Sequence, residues 1–307
     1  MANLLIIKRI SDDFDRFVCD SLSKKFSNVD VYDAFRWKGK LGRKIVNRAK
    51  TVDNDYFFKI CLNKRLHKIE KYKDVILFDD YPDIRLIQWI REHNSTCNIK
   101  LWFWNVPNYD IEIYRRYCQL YCFDQKFSKQ NNVKFINQFY FDNLVALKSN
   151  FHDTKYDVSY IGVDKGRRII LDKLTDELDK KDISYKFILV TKNKIENKRI
   201  IQLKKSVSYS EVVAICCESV AILELVQSTQ SGLTWRSLEA LFFQKKLITN
   251  NKEIKKFDFY NKNNIFIYGE DNIEDLPKFL SSEFVLISQD VLEKYTVGNW
   301  MKSIMDS

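Results

Sequence analysis

Gln227-Ser228-Thr229-Gln230-Ser231-Gly232 is the segment of this 307-residue chain best suited to chemistry. It lies between an apolar strand-like run, residues 220–226, and a helical run, residues 233–243. Backbone N–H groups at a helix start, beside Ser and Thr hydroxyls, form an anion site without a glycine-rich loop. Arg236, one turn into that helix, adds positive charge for a bound diphosphate. Glu239, a further turn along, is placed to accept hydrogen bonds from a ribose. Asp79 and Asp80 close a second apolar run, residues 75–78, and are the candidates for a general base. One carboxylate beside another raises one of the two pKa values, which suits a base near neutrality. The same pair also reads as a turn before Pro82. Asp12 and Asp13 are rivals for the role, though Ser11-Asp12-Asp13 is equally an ordinary helix start.

Two further groups could meet a second ligand. Trp102, Phe103, Trp104 and Asn105 end a strand, where an aromatic face can stack on a sugar; alternation assigns Phe103 to the sheet core. Residues 36–50 hold seven basic side chains and no acidic one, with Trp37, Leu41, Ile45 and Val46 interleaved. Arg36, Trp37, Lys38, Lys40, Arg43 and Lys44 suit docking on anionic lipid or a lipid-pyrophosphate acceptor; a solvated loop is the competing reading.

The elements that must position these residues alternate. In the first half, residues 3–8, 29–32, 75–78 and 99–104 read as strands. Residues 11–22, 56–69, 84–90 and 109–120 read as helices, the first carrying Phe14, Phe17, Val18 and Leu22 at helical spacing. Residues 148–156 are polar and aperiodic and mark a boundary. Beyond it, 157–161, 185–190, 220–226, 247–249 and 265–268 read as strands, and 167–180, 209–217 and 233–243 as helices. Residues 288–305 read as a terminal helix pair with Tyr295, Trp300 and Ile304 apolar. Repeated β–α alternation implies parallel sheets. Seeing it twice implies an α/β chain of two Rossmann-like domains facing a central cleft, residues 1–150 and 151–287, followed by a terminal helical segment, 288–307.

Composition narrows the function classes. The chain has seven Gly and three Pro against 51 Lys and Arg, with a net charge of +10. Neither GxxxxGK[ST] nor GxGxxG occurs, which removes P-loop ATPases and ordinary dinucleotide dehydrogenases. The positive balance favours anionic partners. No helix-turn-helix, RNA-recognition or zinc pattern accompanies the charge, which argues against nucleic acid. The seven cysteines read as buried thiols of a reducing cytoplasm. Their spacing and the scattered His67, His93 and His152 suggest no metal site. No apolar run reaches the length of a membrane span, and the first residues do not read as a signal peptide.

The segment 221–250 resembles the donor-binding segment of GT-B-fold glycosyltransferases, in particular bacterial enzymes of capsule, O-antigen and lipooligosaccharide assembly. Leu238-Glu239-Ala240 and Leu247-Ile248-Thr249 carry the match. The resemblance implies that Glu239 binds the ribose of a nucleotide-sugar. It implies that Gln230, Ser231, Gly232, Leu233 and Thr234 face the diphosphate and sugar. A second match, Tyr160-Ile161-Gly162-Val163-Asp164-Lys165-Gly166-Arg167, looks like the first strand and loop of the family's C-terminal domain. It brings Gly162, Lys165 and Arg167 to the diphosphate. Many retaining members carry a glutamate at the position of Ser231, and a Gly and a Pro where Gln244 and Lys246 stand. These departures favour an inverting enzyme with its base in the N-terminal domain. The resemblance also implies a final helix packing back toward the N-terminal domain, no metal and no cofactor beyond the nucleotide-sugar. By the same resemblance the acceptor is expected to be a saccharide or lipid-linked saccharide, met in the cytoplasm, at the inner face of the plasma membrane. The alternative is a non-catalytic basic α/β module that binds nucleic acid or another polyanion.

Overall fold

The computed structural model describes residues 3–10, 13–37, 39–52, 54–78, 83–144, 153–227 and 230–307, with the side chains of Lys40 and Asp55 excepted. The chain divides into two compact units, residues 1–123 with 127–135, and residues 124–126 with 136–307. The boundary expected near residue 150 falls among residues 145–152, outside the described residues.

The first unit is a six-stranded parallel sheet. Its strands are β1 (Leu4–Ile7), β2 (Val29–Tyr32), β3 (Asp74–Phe78), β4 (Asn98–Phe103), β5 (Gln119–Cys122) and β6 (Lys134–Phe135). Their order in the sheet is β2-β1-β3-β4-β5-β6. β1 and β3 are buried along their whole length. That is why they read as unbroken apolar runs: helices cover both faces of a parallel sheet. The helices are α1 (Asp13–Lys25), α2 (Gly39–Thr51), α3 (Asp55–Cys61), α4 (Ile84–His93), α5 (Glu112–Arg115) and α6 (Gln125–Gln130).

Two expectations are corrected here, and one choice is decided. The helix expected over 56–69 breaks at Asn63. Its side chain accepts from the Arg65 N–H at 3.1 Å and donates to the Asp33 carbonyl at 3.1 Å, restarting the chain as a 3-10 helix, Lys64–Lys71. The helix expected over 109–120 shrinks to α5, because Leu120, Tyr121 and Cys122 pair with β4 instead. The basic stretch that read as loop or amphipathic segment is the helix α2, with Val46 and Ala49 buried and Arg43, Lys44 and Arg48 exposed.

The second unit repeats the architecture with the other doubly wound order. Its strands are β7 (Tyr156–Val163), β8 (Tyr185–Val190), β9 (Ile200–Leu203), β10 (Ser219–Glu224), β11 (Lys246–Thr249) and β12 (Ile265–Ile267). They lie in the order β12-β11-β10-β7-β8-β9, all parallel. Its helices include α7 (Arg168–Lys180), α8 (Tyr209–Cys217), α9 (Trp235–Phe243) and α10 (Leu276–Ser281). The core packs Val158, Leu171, Leu174, Phe187, Leu189, Leu223 and Ile248. The terminal helix pair is α11 (Gln289–Glu293) and α12 (Val297–Asp306). Tyr140 donates its N–H to the Tyr295 carbonyl at 2.8 Å and accepts the Val297 N–H at 2.8 Å. The Trp300 ring lies 4.5 Å from that of Phe139. Among the described residues no helix is long and apolar enough to cross a membrane, and all seven cysteines are free and buried.

Candidate functional site

In an open parallel sheet, ligands bind beyond the carboxyl ends of the strands where the strand order reverses. In the second unit that point lies between β7 and β10. The residues that the resemblance assigned to the donor lie on the elements around that point.

β7 runs into the turn Asp164-Lys165-Gly166-Arg167. Lys165 and Gly166 take left-handed backbone, φ 41° and 84°, a conformation that glycine adopts without strain. Lys165 is exposed. Arg167 is not free to follow a ligand. Its Nε donates to the Leu225 carbonyl at 2.6 Å and its Nη1 to the Val163 carbonyl at 3.0 Å. It thereby ties the ends of β7 and β10 together.

Gly162 has a different use from the one expected. A Cβ there would stand 2.7 Å from the Tyr160 hydroxyl oxygen, so the missing side chain makes room for Tyr160. Tyr160 is buried and its hydroxyl has no hydrogen-bond partner among the described residues. Gly162→Ala is therefore expected to cost about 1–3 kcal/mol of stability, and Tyr160→Phe in the same chain to recover most of it. Urea unfolding of the three variants checks this; additive losses in the double variant would refute it.

β10 ends in Glu224, a fully buried carboxylate that the sequence reading passed over. Its Oε1 accepts the Thr234 hydroxyl and, at 2.5 Å, the Ser237 hydroxyl. Its Oε2 accepts the Thr249 hydroxyl at 2.6 Å. One side chain thus joins the end of β10 to α9 and β11. The available signal was an acidic residue inside the apolar run Ala221-Ile222-Leu223-Glu224-Leu225.

α9 begins two residues later than expected because Thr234 caps it, accepting the Arg236 N–H at 3.0 Å. Arg236 and Glu239 turn inward and meet as an ion pair. Arg236 also donates to the Ile161 carbonyl at 3.1 Å. Glu239 accepts the Tyr209 hydroxyl at 2.9 Å, and that hydroxyl lies 2.6 Å from the hydroxyl of Tyr140. Burial pushes the Glu239 carboxyl up, while Arg236 and the Tyr209 hydrogen bond pull it back. Burial also disfavours the Arg236 charge, but its acidic neighbours outweigh that and hold it protonated. The groups expected to reach a diphosphate and a ribose therefore engage one another.

Ahead of α9, the N–H groups of Ser231 and Gly232 converge on Asp124. They donate to its Oδ2 at 2.6 and 2.7 Å, and the Ser231 hydroxyl lies 2.9 Å from Oδ1. Asn251 holds the other edge of the loop, donating to the Ser231 carbonyl at 3.1 Å. Asn250 accepts the Val226 N–H at 2.7 Å and donates to the Val226 carbonyl at 3.2 Å. Gln230 is half-buried and Leu233 buried. Ser228 and Thr229 lie outside the described residues.

The remaining candidates belong to the first unit. Asp79, Asp80 and Lys38 lie outside the described residues, as does the side chain of Lys40. β3, which precedes the two aspartates, borders the reversal point of that sheet, between β1 and β3. Arg36 is exposed and stacks its guanidinium 4.6 Å from the Trp37 ring. Leu41 projects from α2 with 74% of its surface exposed. Phe103 is buried, and the Trp104 ring lies 5.3 Å from that of Phe78. Among the described residues no cluster of three or more His, Cys, Asp or Glu side chains is disposed to hold a metal ion.

No family model matches the chain. No curated protein matches it by sequence. Solved structures do match along the whole chain. HepE from Anabaena, in complex with UDP and glucose, superposes with a TM-score of 0.60 at 11% identity, covering 100% of this chain and 99% of its own. A glycosyltransferase from Rickettsia africae gives 0.55 at 10% identity, covering 99% and 96%. The UDP-forming trehalose-phosphate synthase of Burkholderia vietnamiensis gives 0.53 at 10% identity, covering 100% and 96%. The chain shares their fold. Its two six-stranded parallel sheets, each flanked by helices, are the two Rossmann-like domains that the alternation implied.

Proposed function

We propose that this chain is a GT-B glycosyltransferase that moves a sugar from a nucleotide-sugar donor to a saccharide or lipid-linked saccharide acceptor. The observation that supports it most is the cluster at the reversal point of the second sheet. There the turn after β7 carries the exposed Lys165, Arg167 ties that turn to the end of β10, and Arg236 of α9 reaches back to the Ile161 carbonyl of β7. HepE, of the same fold, was solved with UDP and glucose. Lys165 supplies positive charge for the diphosphate, and transfer needs no metal. Stabilising the departing diphosphate electrostatically supplies much of the rate. Asp79 or Asp80 acts as the base, with inversion at the sugar. The exposed Leu41, Arg43 and Lys44 of α2, with Arg36 and Trp37 before it, hold the enzyme on an anionic membrane face in the cytoplasm. The assembly served is a bacterial surface polysaccharide, a reading that rests on the resemblance of residues 221–250.

Thermal-shift measurement against UDP, GDP, CMP and TDP tests the reading. One nucleotide is expected to raise the Tm by several degrees, selectively, and EDTA to leave that shift unchanged. No response to any nucleotide, together with polyanion binding that falls steeply with salt, would replace the enzyme by a polyanion-binding module.

A further inference from the structure

The loop before α9 holds a negative charge of its own. Asp124 is almost wholly buried, and two consecutive backbone N–H groups and one hydroxyl converge on its carboxylate. Successive N–H groups aimed at one oxygen form an anion cradle. A carboxylate removed from water is retained only where charge-assisted hydrogen bonds of this kind replace its hydration.

The cradle also fixes the loop. The N–H edge of Ser231 and Gly232 is held by Asp124, and the carbonyl of Ser231 on the other edge by Asn251. The downstream end is held by Glu224 through the Thr234 hydroxyl. Asp124 stands 107 residues before Ser231, so the contact is tertiary and not a local turn device. It acts at the carboxyl end of β10, where the sheet order reverses and a ligand is expected.

We propose that Asp124 is the resident anion of this cradle, a positioning residue that holds Ser231 and Gly232 in the shape the donor meets. The inference rests on the donor reading above. It assigns Asp124 no contact with the donor: the carboxylate orients the peptide planes on which the neighbouring N–H groups are carried.

Asp124→Ala leaves a space of carboxylate size lined by the same donors, so small anions can refill it. Calorimetry with the nucleotide that stabilises the unaltered chain is expected to show a loss of about tenfold or more in affinity. Formate is expected to restore most of the loss, and neutral formamide none of it. Formate is also expected to raise the Tm of Asp124→Ala while leaving that of the unaltered chain unchanged. A purely structural role predicts no link between formate and nucleotide affinity. Unaltered nucleotide affinity in Asp124→Ala overturns the proposal. So does an equal response to formate in both chains, or a Tm restored by formate without recovery of affinity. If Asp124→Ala does not fold, Asp124→Asn keeps the shape and removes the charge. It is expected to bind about tenfold more weakly, and binding equal to the unaltered chain would refute the idea. Failure of the donor reading is separate: it shows as an unaltered chain that no nucleotide stabilises.

Discussion

Replacing Glu239 by alanine is expected to lower the folding stability by about 3–5 kcal/mol, since removing one partner of a buried ion pair strands the other. Arg236 is the stranded partner. Its guanidinium lies against the Ile161 carbonyl and the Cys216 sulfur, neither of which replaces a carboxylate. The Tyr209 hydroxyl loses this acceptor in the same step and keeps the hydroxyl of Tyr140. The loss should fall toward the lower end of that range, because the Arg236 side chain keeps 19% of its surface exposed while Glu239 keeps 2%. Replacing both partners, as Arg236→Met with Glu239→Leu, should recover much of it by leaving no unpaired charge. Urea unfolding of the single and double variants measures both numbers. A single variant within about 1 kcal/mol of the unaltered chain would show that water solvates the site freely, contrary to its burial. Read from sequence, Glu239→Ala should injure nucleotide binding more than folding. The ion pair adds a folding cost to this variant, so any loss of binding must be judged on protein shown to be folded.

Glu224→Ala is the second large effect. Three hydroxyls, on Thr234, Ser237 and Thr249, lose a shared acceptor at one buried point. Each orphaned polar group costs about 1–3 kcal/mol. Thr234 still accepts the Arg236 N–H and Thr249 the Asn251 N–H at 3.0 Å, but each hydroxyl proton is left without its acceptor. The Ser237 hydroxyl can turn to a carbonyl one helical turn back. A total of about 3 kcal/mol follows, and Glu224→Gln, which keeps one oxygen, should lose about 1 kcal/mol. Denaturant midpoints at equal slope check both values. A Gln variant as damaged as the Ala variant would mean that charge, and not hydrogen bonding, is what the three hydroxyls require. Because Thr234 and Thr249 sit at the ends of α9 and β11, nucleotide affinity should fall in the same order.

The parts of this molecule that were legible in sequence are those written by local rules. β1 and residues 75–78 of β3 are uninterrupted apolar runs because both faces of a parallel sheet are covered. α7 carries Leu171, Leu174 and Leu178 on one buried stripe, at the helical period. The strand-to-helix turns were marked by scarce glycines and by the Ser and Thr before α9. What was not legible depends on distant partners. β6 and β9 are short and partly polar, and only pairing with β5 and β8 makes them strands. The inward turn of Arg236 toward Glu239 needs Tyr209 and Cys216 behind it. Gly162 looked like a place for a ligand to approach, but the space belongs to Tyr160 two residues earlier on the same face. Nothing near residue 124 in the sequence points to residue 231.

That last contact bears on how this loop tolerates change. A glycine-rich phosphate loop writes its shape in neighbouring letters, and a lesion there is local. Here the shape of residues 226–227 and 230–234 is spelled by Asp124, by Glu224 and by the pair Asn250 and Asn251, side chains from three places along the chain. A saturation scan would therefore find intolerant positions scattered with no local pattern. Substitutions at two of them would not add, since they hold the same few peptide units. Drift at any one position is open only to residues that keep an acceptor or donor in the same spot. The loop is held, in effect, as a small truss, one of whose members, Asp124, lies 107 residues away in sequence.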